Sequence, residues 1–351
     1  MKWFMLDKLL VWKIKLRFRE WIYYLRTSGA SFFIVFSILV GVGAGFGAIF
    51  FRWLIQQFKH LFFVDGEHLL VFMGQYYVIL IPAIGGMIVG PLIHYFAREA
   101  KGHGVPEVIS SVVVKGGKIR PRVALVKAIA SSICIGSGGS VGREGPIIQI
   151  GSAIGSTIGQ LFRLTEERTR TLVACGAAAG IAATFNAPLG GIFFALEVIL
   201  MEYGLRNFSS VVLSSVTATV ISRHFLGDHP AFQTPEFELY SFLDIPFYFL
   251  FGLLTALTAF LFIKVLYKSE DIFNNLKIPE YFKPAVGGLI IGLIGLYFPQ
   301  IFGVGYEIIE NSISGETALV IVIALVFLKI IATSVTLGSG GSGGIFAPSL
   351  F

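Results

Sequence analysis

The sequence predicts an all-α integral membrane protein built from two inverted-topology repeats of tilted and broken helices. Three observations carry this expectation: an apolar, charge-poor composition, long windows free of charge, and an internal repeat. Of 351 residues, 55% are hydrophobic and 14% charged, and the mean hydropathy is +0.80. A soluble domain carries about 25% charged residues, so a water-facing globule is excluded, as are disorder and collagen. Only two cysteines are present, Cys134 and Cys175. Both lie in apolar stretches, which excludes a disulfide scaffold and points to buried free thiols.

Windows 27–51, 68–97, 145–162, 171–196, 245–263 and 284–306 contain no Asp, Glu, Lys or Arg. A membrane span needs roughly 20 apolar residues, so the chain has room for about ten spanning or half-spanning helices. Shorter apolar stretches at 128–142, 207–222 and 317–328 are too short to cross cleanly, which predicts tilted or interrupted helices. No strand-like alternation is sustained, so a β-barrel is not expected.

The net charge of +6 is unevenly distributed. Residues 1–27 carry Lys2, Lys8, Lys13, Lys15, Arg17, Arg19 and Arg26, interleaved with Trp3, Phe4, Trp12, Phe18 and Trp21. This predicts an amphipathic helix on the membrane surface and a cytoplasmic N-terminus, in the plasma or inner membrane of the cell. A secretory signal peptide does not fit, since no short apolar core and cleavage site follow the charges. The aromatics and the adjacent span also argue against nucleic acid as the partner of this basic segment. A second basic cluster, Lys115, Lys118, Arg120 and Arg122, is expected on the same side.

Two glycine-rich segments repeat one another. Gly136-Ser-Gly-Gly-Ser-Val-Gly-Arg-Glu-Gly-Pro146 aligns with Gly338-Ser-Gly-Gly-Ser-Gly-Gly-Ile-Phe-Ala-Pro348 at an offset of 338 − 136 = 202, with seven of eleven positions identical. Upstream, Lys127, Ala130 and Ser132 fall on Lys329, Ala332 and Ser334. A weaker echo pairs Gly102, Gly104 and Glu107 with Gly303, Gly305 and Glu307. Repeats of this length in a membrane protein mean two homologous halves, commonly of inverted topology. The expected division is 28–226 for the first membrane repeat and 227–351 for the second.

Glycine-rich, non-helical backbone at membrane depth is tolerated only where it is buried in protein or lines a wet cavity. A helix starting from such a loop leaves backbone N–H groups without intrahelical partners, and its dipole adds positive potential. That combination is an anion site. Segments 102–106, 142–146 and 344–348 each precede an apolar helix, with proline suited to its first turn. Three helix N-termini could therefore converge on one anion. Close packing of small residues accounts for Gly85, Gly86, Gly287 and Gly288, but not for the Arg143-Glu144 pair set between glycines. The formal G-x-G-x-x-G at Gly338–Gly343 follows a membrane stretch rather than a strand, which argues against a dinucleotide site.

Gly102-His-Gly-Val-Pro106, Gly142-Arg-Glu-Gly-Pro146 and Gly344-Ile-Phe-Ala-Pro348 resemble the three selectivity-filter segments of the CLC family of voltage-gated chloride channels and proton/chloride antiporters, of prokaryotic type. Gly176-Ala-Ala-Ala-Gly180 and the stretch from Phe185-Asn-Ala-Pro-Leu189 to Glu197 are similar to helices that follow the second segment in that family. The resemblance implies transport of chloride or another small anion, with protons as a second partner in the antiporters, by a homodimer in membrane lipid. It implies a filter formed by Gly102, Gly104, Val105, Pro106, Gly142, Arg143, Gly145, Pro146, Gly344, Ala347 and Pro348. It also implies that Glu144 is the gating glutamate and that the backbone amides of Ile345 and Phe346 bind the anion. His103 stands where many members have a serine hydroxyl. Imidazole also donates an N–H, so the choice among chloride, nitrate and fluoride stays open. Val198 occupies the place of the antiporters' internal proton-relay glutamate, and Glu197 matches the acidic residue before it. Valine carries no proton, yet some transporters lack that glutamate too, so a channel and a proton-coupled exchanger are both open.

A membrane enzyme is the contrasting reading. His60, His68, His94, His103, His224 and His229 are scattered, and neither an H-E-x-x-H motif nor a Cys/His cluster occurs. Neither a metal nor a cofactor is therefore expected. Set against the repeat, the second half is expected to be incomplete, since only Ser349, Leu350 and Phe351 follow Pro348. By the family pattern, the final helices, part of the dimer surface and the tyrosine closing the anion site would then be missing. A third reading follows, in which the chain is a non-conducting fragment or assembly partner of a full-length anion transporter.

Overall fold

A computed structural model of the chain describes residues 29–202, 204–230 and 241–351. The expected surface helix at 1–27 lies outside the described residues. Among those described, the secondary structure is helical, with four stretches long and apolar enough to cross a membrane: Phe33–Leu69, Val71–Phe96, Phe242–Asn275 and Leu319–Gly338.

The first helix, α1 (Gly29–His60), runs past the end of the 27–51 window because Arg52 and Lys59 interrupt apolarity without interrupting the backbone. Its last turn carries Lys59 and His60, which suit the negative end of the helix dipole. A π-helical turn (Leu61–Asp65) and the short α2 (Gly66–Leu69) follow. Window 68–97 is not one helix. Gly74, at φ 53° and ψ −141°, breaks it before α3 (Tyr77–Phe96).

Next come α4 (Val105–Val113), α5 (Arg122–Gly136), α6 (Glu144–Leu161) and α7 (Glu166–Phe185). The short α8 (Pro188–Phe194) continues as a π-helical stretch, Ala195–Leu200, and α9 (Leu205–Leu226) follows. Beyond the undescribed residues 231–240 lie α10 (Ile245–Asn275), α11 (Lys283–Tyr297), α12 (Tyr306–Ile313), α13 (Leu319–Gly338) and α14 (Phe346–Leu350).

The centre is the pair α6 and α7, rich in glycine, alanine and serine and buried along most of both lengths. Small residues allow the two backbones to touch. A Cβ on Gly151 would stand 2.2 Å from the Gly176 carbonyl oxygen, and one on Gly176 would stand 2.0 Å from that of Gly151. The α3–α11 crossing uses the same device. Gly86 faces the Pro284 carbonyl and Gly288 faces the Pro82 carbonyl, each at 2.1 Å from a virtual Cβ. Helix α10 lies at the periphery, with Phe247, Phe249, Phe251, Leu254 and Leu257 all exposed. Cys134 and Cys175 are free and buried, as their apolar surroundings predict.

Candidate functional site

The first glycine-rich segment leaves a 3₁₀ turn (Arg98–Ala100) and enters α4 through Gly102 (φ 70°) and Gly104 (φ 84°). Positive φ at both positions costs glycine nothing and would strain any side chain. Lys127, fully buried on α5, fixes this turn by donating to the carbonyls of Ala100 at 3.1 Å and Gly102 at 2.7 Å. Lys329 on α13 makes the same pair of bonds to Ile301 (3.1 Å) and Gly303 (3.0 Å), before Gly305 (φ 92°) caps α12. Both lysines are hydrogen-bonded staples for backbone that no helix satisfies.

The three segments singled out in the sequence meet. Gly142 and Gly344 exchange backbone hydrogen bonds of 2.7 and 2.6 Å, antiparallel. Gly102 donates to Gly341 at 3.0 Å and accepts from Gly343 at 3.3 Å. Ser342 adds side-chain bonds to the Ala100 carbonyl (2.7 Å) and to Ser131 (2.9 Å). Gly145 sits at the junction. A Cβ there would lie 2.2 Å from the His103 carbonyl oxygen and 3.0 Å from the Gly344 Cα. Pro106 and Pro146 lie in the first turns of α4 and α6, where a missing N–H is harmless. Val105 begins α4, while Ala347 and Pro348 are buried in α14.

Glu144 is the first residue of α6 and is 0% exposed. Its side chain turns back over Gly142, where a virtual Cβ would come within 2.2 Å of Oε2. The Tyr306 hydroxyl donates to its Oε1, whereas the Arg143 Nε stands off at 3.9 Å. The Arg143 guanidinium instead covers the Tyr306 ring at 5.2 Å from the centroid. Residue 143 thus partners the tyrosine face, and the carboxylate's hydrogen bond comes from the second half of the chain. Sequence reading missed Tyr306. The signal was the echo at Gly303–Gly305, since the residue after that positive-φ glycine pair occupies the place Val105 has in the first half.

Two cavities approach the junction. One, of about 370 Å³, reaches Glu144 between Ile148, Ile181, Phe185, Phe194 and Phe346. The Phe194 and Phe346 rings meet edge to face at 5.7 Å there. The other, of about 290 Å³, reaches His103 and is lined by Arg98, Lys101, Glu107, Glu270 and Asn274. Ile345 is the N-cap of α14 and Phe346 its first residue, so their amides face away from any intrahelical acceptor. Neither Val198 nor Glu197 lines the Glu144 cavity. Both sit in the π-helical stretch, Val198 half-buried and Glu197 exposed.

The family model described as voltage gated chloride channel matches residues 85–351. This chain belongs to that family. Among CLC relatives, it is 30% identical over 277 residues to a putative chloride channel protein ClcB-like of Ralstonia nicotianae, covering 78% of this chain and 65% of that protein. It is 33% identical over 283 residues to the H(+)/Cl(−) exchange transporter ClcA of Vibrio parahaemolyticus, covering 78% and 60%. The chain thus spans somewhat under two thirds of these curated relatives' lengths. Among solved structures, a slow cyanobacterial Cl−/H+ antiporter matches with a TM-score of 0.78 at 27% identity, over 90% of this chain and 76% of that one. A CLC-type fluoride/proton antiporter shares the fold, with a TM-score of 0.78 at 23% identity over 92% and 79%.

Proposed function

We propose that the chain carries the anion pathway of a chloride transporter or channel, gated by Glu144. The observation that carries this reading is a fully buried carboxylate at the start of α6, where glycine segments far apart in the chain meet. Helix-start amides and the dipole attract an anion to such a point. The carboxylate competes for the same donors, and it yields when protonated. Anion passage and proton uptake are thereby linked. Gly145 and Gly344 let the segments approach, the amides of Ile345 and Phe346 line the anion's path, and His103 contributes its ring N–H from the second cavity.

The Lys127 and Lys329 staples and the reciprocal Gly86–Gly288 contact support a division into inverted repeats, 28–226 and 227–351. The exposed apolar flank of α10 suits lipid, and the basic N-terminal segment suits a cytoplasmic start in the plasma or inner membrane. Assembly as a homodimer accords with the family.

The test is chloride efflux from liposomes holding the purified chain, at two pH values. Efflux should rise on acidification, and Glu144→Gln should flow at both pH values without that dependence. Equal pH dependence in the variant contradicts the gate. A reversal potential that shifts with an imposed pH gradient marks exchange, and one that does not marks a channel.

A further inference from the structure

We infer that Tyr306 is the positioning residue that latches the Glu144 carboxylate in its closed place, an inference that rests on Glu144 being the gate. The phenol hydroxyl donates to Oε1 of a carboxylate with 0% exposure. The pair joins α6 to α12 across 162 positions of the chain, so the latch is a contact between the two halves. Its other oxygen, Oε2, has no hydrogen-bond partner among the described residues and lies over Gly142. The phenol is thus the one side-chain donor to the carboxylate among the described hydrogen bonds.

Tyr306 is itself held on three sides. Gly305, at φ 92°, sets the start of α12. Lys329 binds the carbonyls of Ile301 and Gly303 just upstream, and Arg143 covers the ring at 5.2 Å. A side chain so fixed delivers its hydroxyl to one point. The charged and titratable groups around the carboxylate can be named by element. They are Arg143 at the start of α6, Tyr306 on α12 and Arg52, half-buried on α1 and within the field of Arg143 and Tyr306. From α7, α8 and α14 the cavity takes Ile181, Phe185, Gly190, Phe194 and Phe346, none of them titratable. The His103 backbone lies against Gly145. Among these groups the carboxylate is the one that opposes the two arginines.

A donor to an ionised carboxylate stabilises the charged form, and the charged form is the one that occupies the anion's place. Removing the hydroxyl while keeping the ring therefore favours the protonated, displaced gate. Leverage on gating then extends to a residue on α12, outside the three glycine segments.

The test is an infrared pH titration of the full chain in lipid bilayers. The carboxylic-acid carbonyl band lost in Glu144→Gln belongs to Glu144. In Tyr306→Phe the midpoint of that band should move to higher pH by about one to two units, the effect of one hydrogen bond to a charged group. Chloride efflux measured alongside should acquire its acid activation at correspondingly higher pH, and Tyr306→Phe should add nothing to Glu144→Gln. A midpoint unmoved by Tyr306→Phe, or no titrating band that Glu144→Gln removes, overturns the latch. Efflux with no pH dependence beside a shifted band would instead remove the gate reading and leave the latch standing.

Discussion

At Gly145 one absent methyl group decides whether three segments can meet. Any Cβ would collide with the His103 carbonyl at 2.2 Å, and backbone cannot step aside as the tip of a side chain can. Gly145→Ala is expected to cost about 1–3 kcal/mol of stability by overpacking and to reduce efflux at least tenfold. Thermal unfolding in detergent and liposome efflux check the two effects. Away from the spans, Glu99 offers a pH-dependent contribution. Partial burial pulls its carboxyl upward, but the Arg120 guanidinium, bonded through Nε at 2.8 Å and through Nη2, outweighs this and holds it below the ordinary carboxylate range. A lowered folded-state value adds stability above about pH 4.3, the unfolded value, and loses it as pH falls through the folded one. Glu99→Gln should therefore lower the unfolding temperature at pH 7 and narrow its gap to wild type on acidification toward pH 3. At this scale the placement of Glu144 and His103 where the segments meet was legible, because a charged or polar residue between glycines has no ordinary packing role. Tyr306 was not legible, since an aromatic at a helix start looks the same whether it faces lipid or a carboxylate.

Elements broke where local chemistry, not apolarity, dictated. Gly74 interrupts one charge-free window, while Arg52 ends another without ending α1. Hydropathy registers charge and is blind to both facts, so the span limits shifted although the spans themselves were legible. The lysine staples were visible only as repeat matches, and their role needed the fold. Each serves the last carbonyl of a 3₁₀ turn and that of the glycine two residues on. Lys127→Met leaves the Ala100 carbonyl with one donor, Ser342, and removes the side-chain donor to Gly102. Each change removes two hydrogen bonds from a charged donor, worth about 1.5–3 kcal/mol apiece, so both Lys127→Met and Lys329→Met should lower the unfolding temperature. A marked effect from only one of the pair would show that the two staples are not equivalent.

On the scale of the whole molecule, two stretches that echo one another in the sequence come together in the fold. Segments about 200 to 240 positions apart supply the Gly142–Gly344 exchange and the Gly102–Gly343 bond, so the site exists only when both parts are folded together. The composition foretold a membrane protein, and the glycine segments foretold which stretches of backbone meet. The order in which α6, α12 and α14 pack around the junction was not legible, because it depends on contacts between residues far apart in sequence. In the gating proposed above, the Glu144 carboxylate and a permeating anion compete for one place. Anomalous scattering from crystals grown in bromide tests it directly. In Glu144→Gln a bromide is expected where the carboxylate oxygens stood beside Gly142, within hydrogen-bond distance of the first amides of α6, and little or none there in the wild-type protein at neutral pH. Equal bromide at that point in both proteins, or none in either, would contradict it.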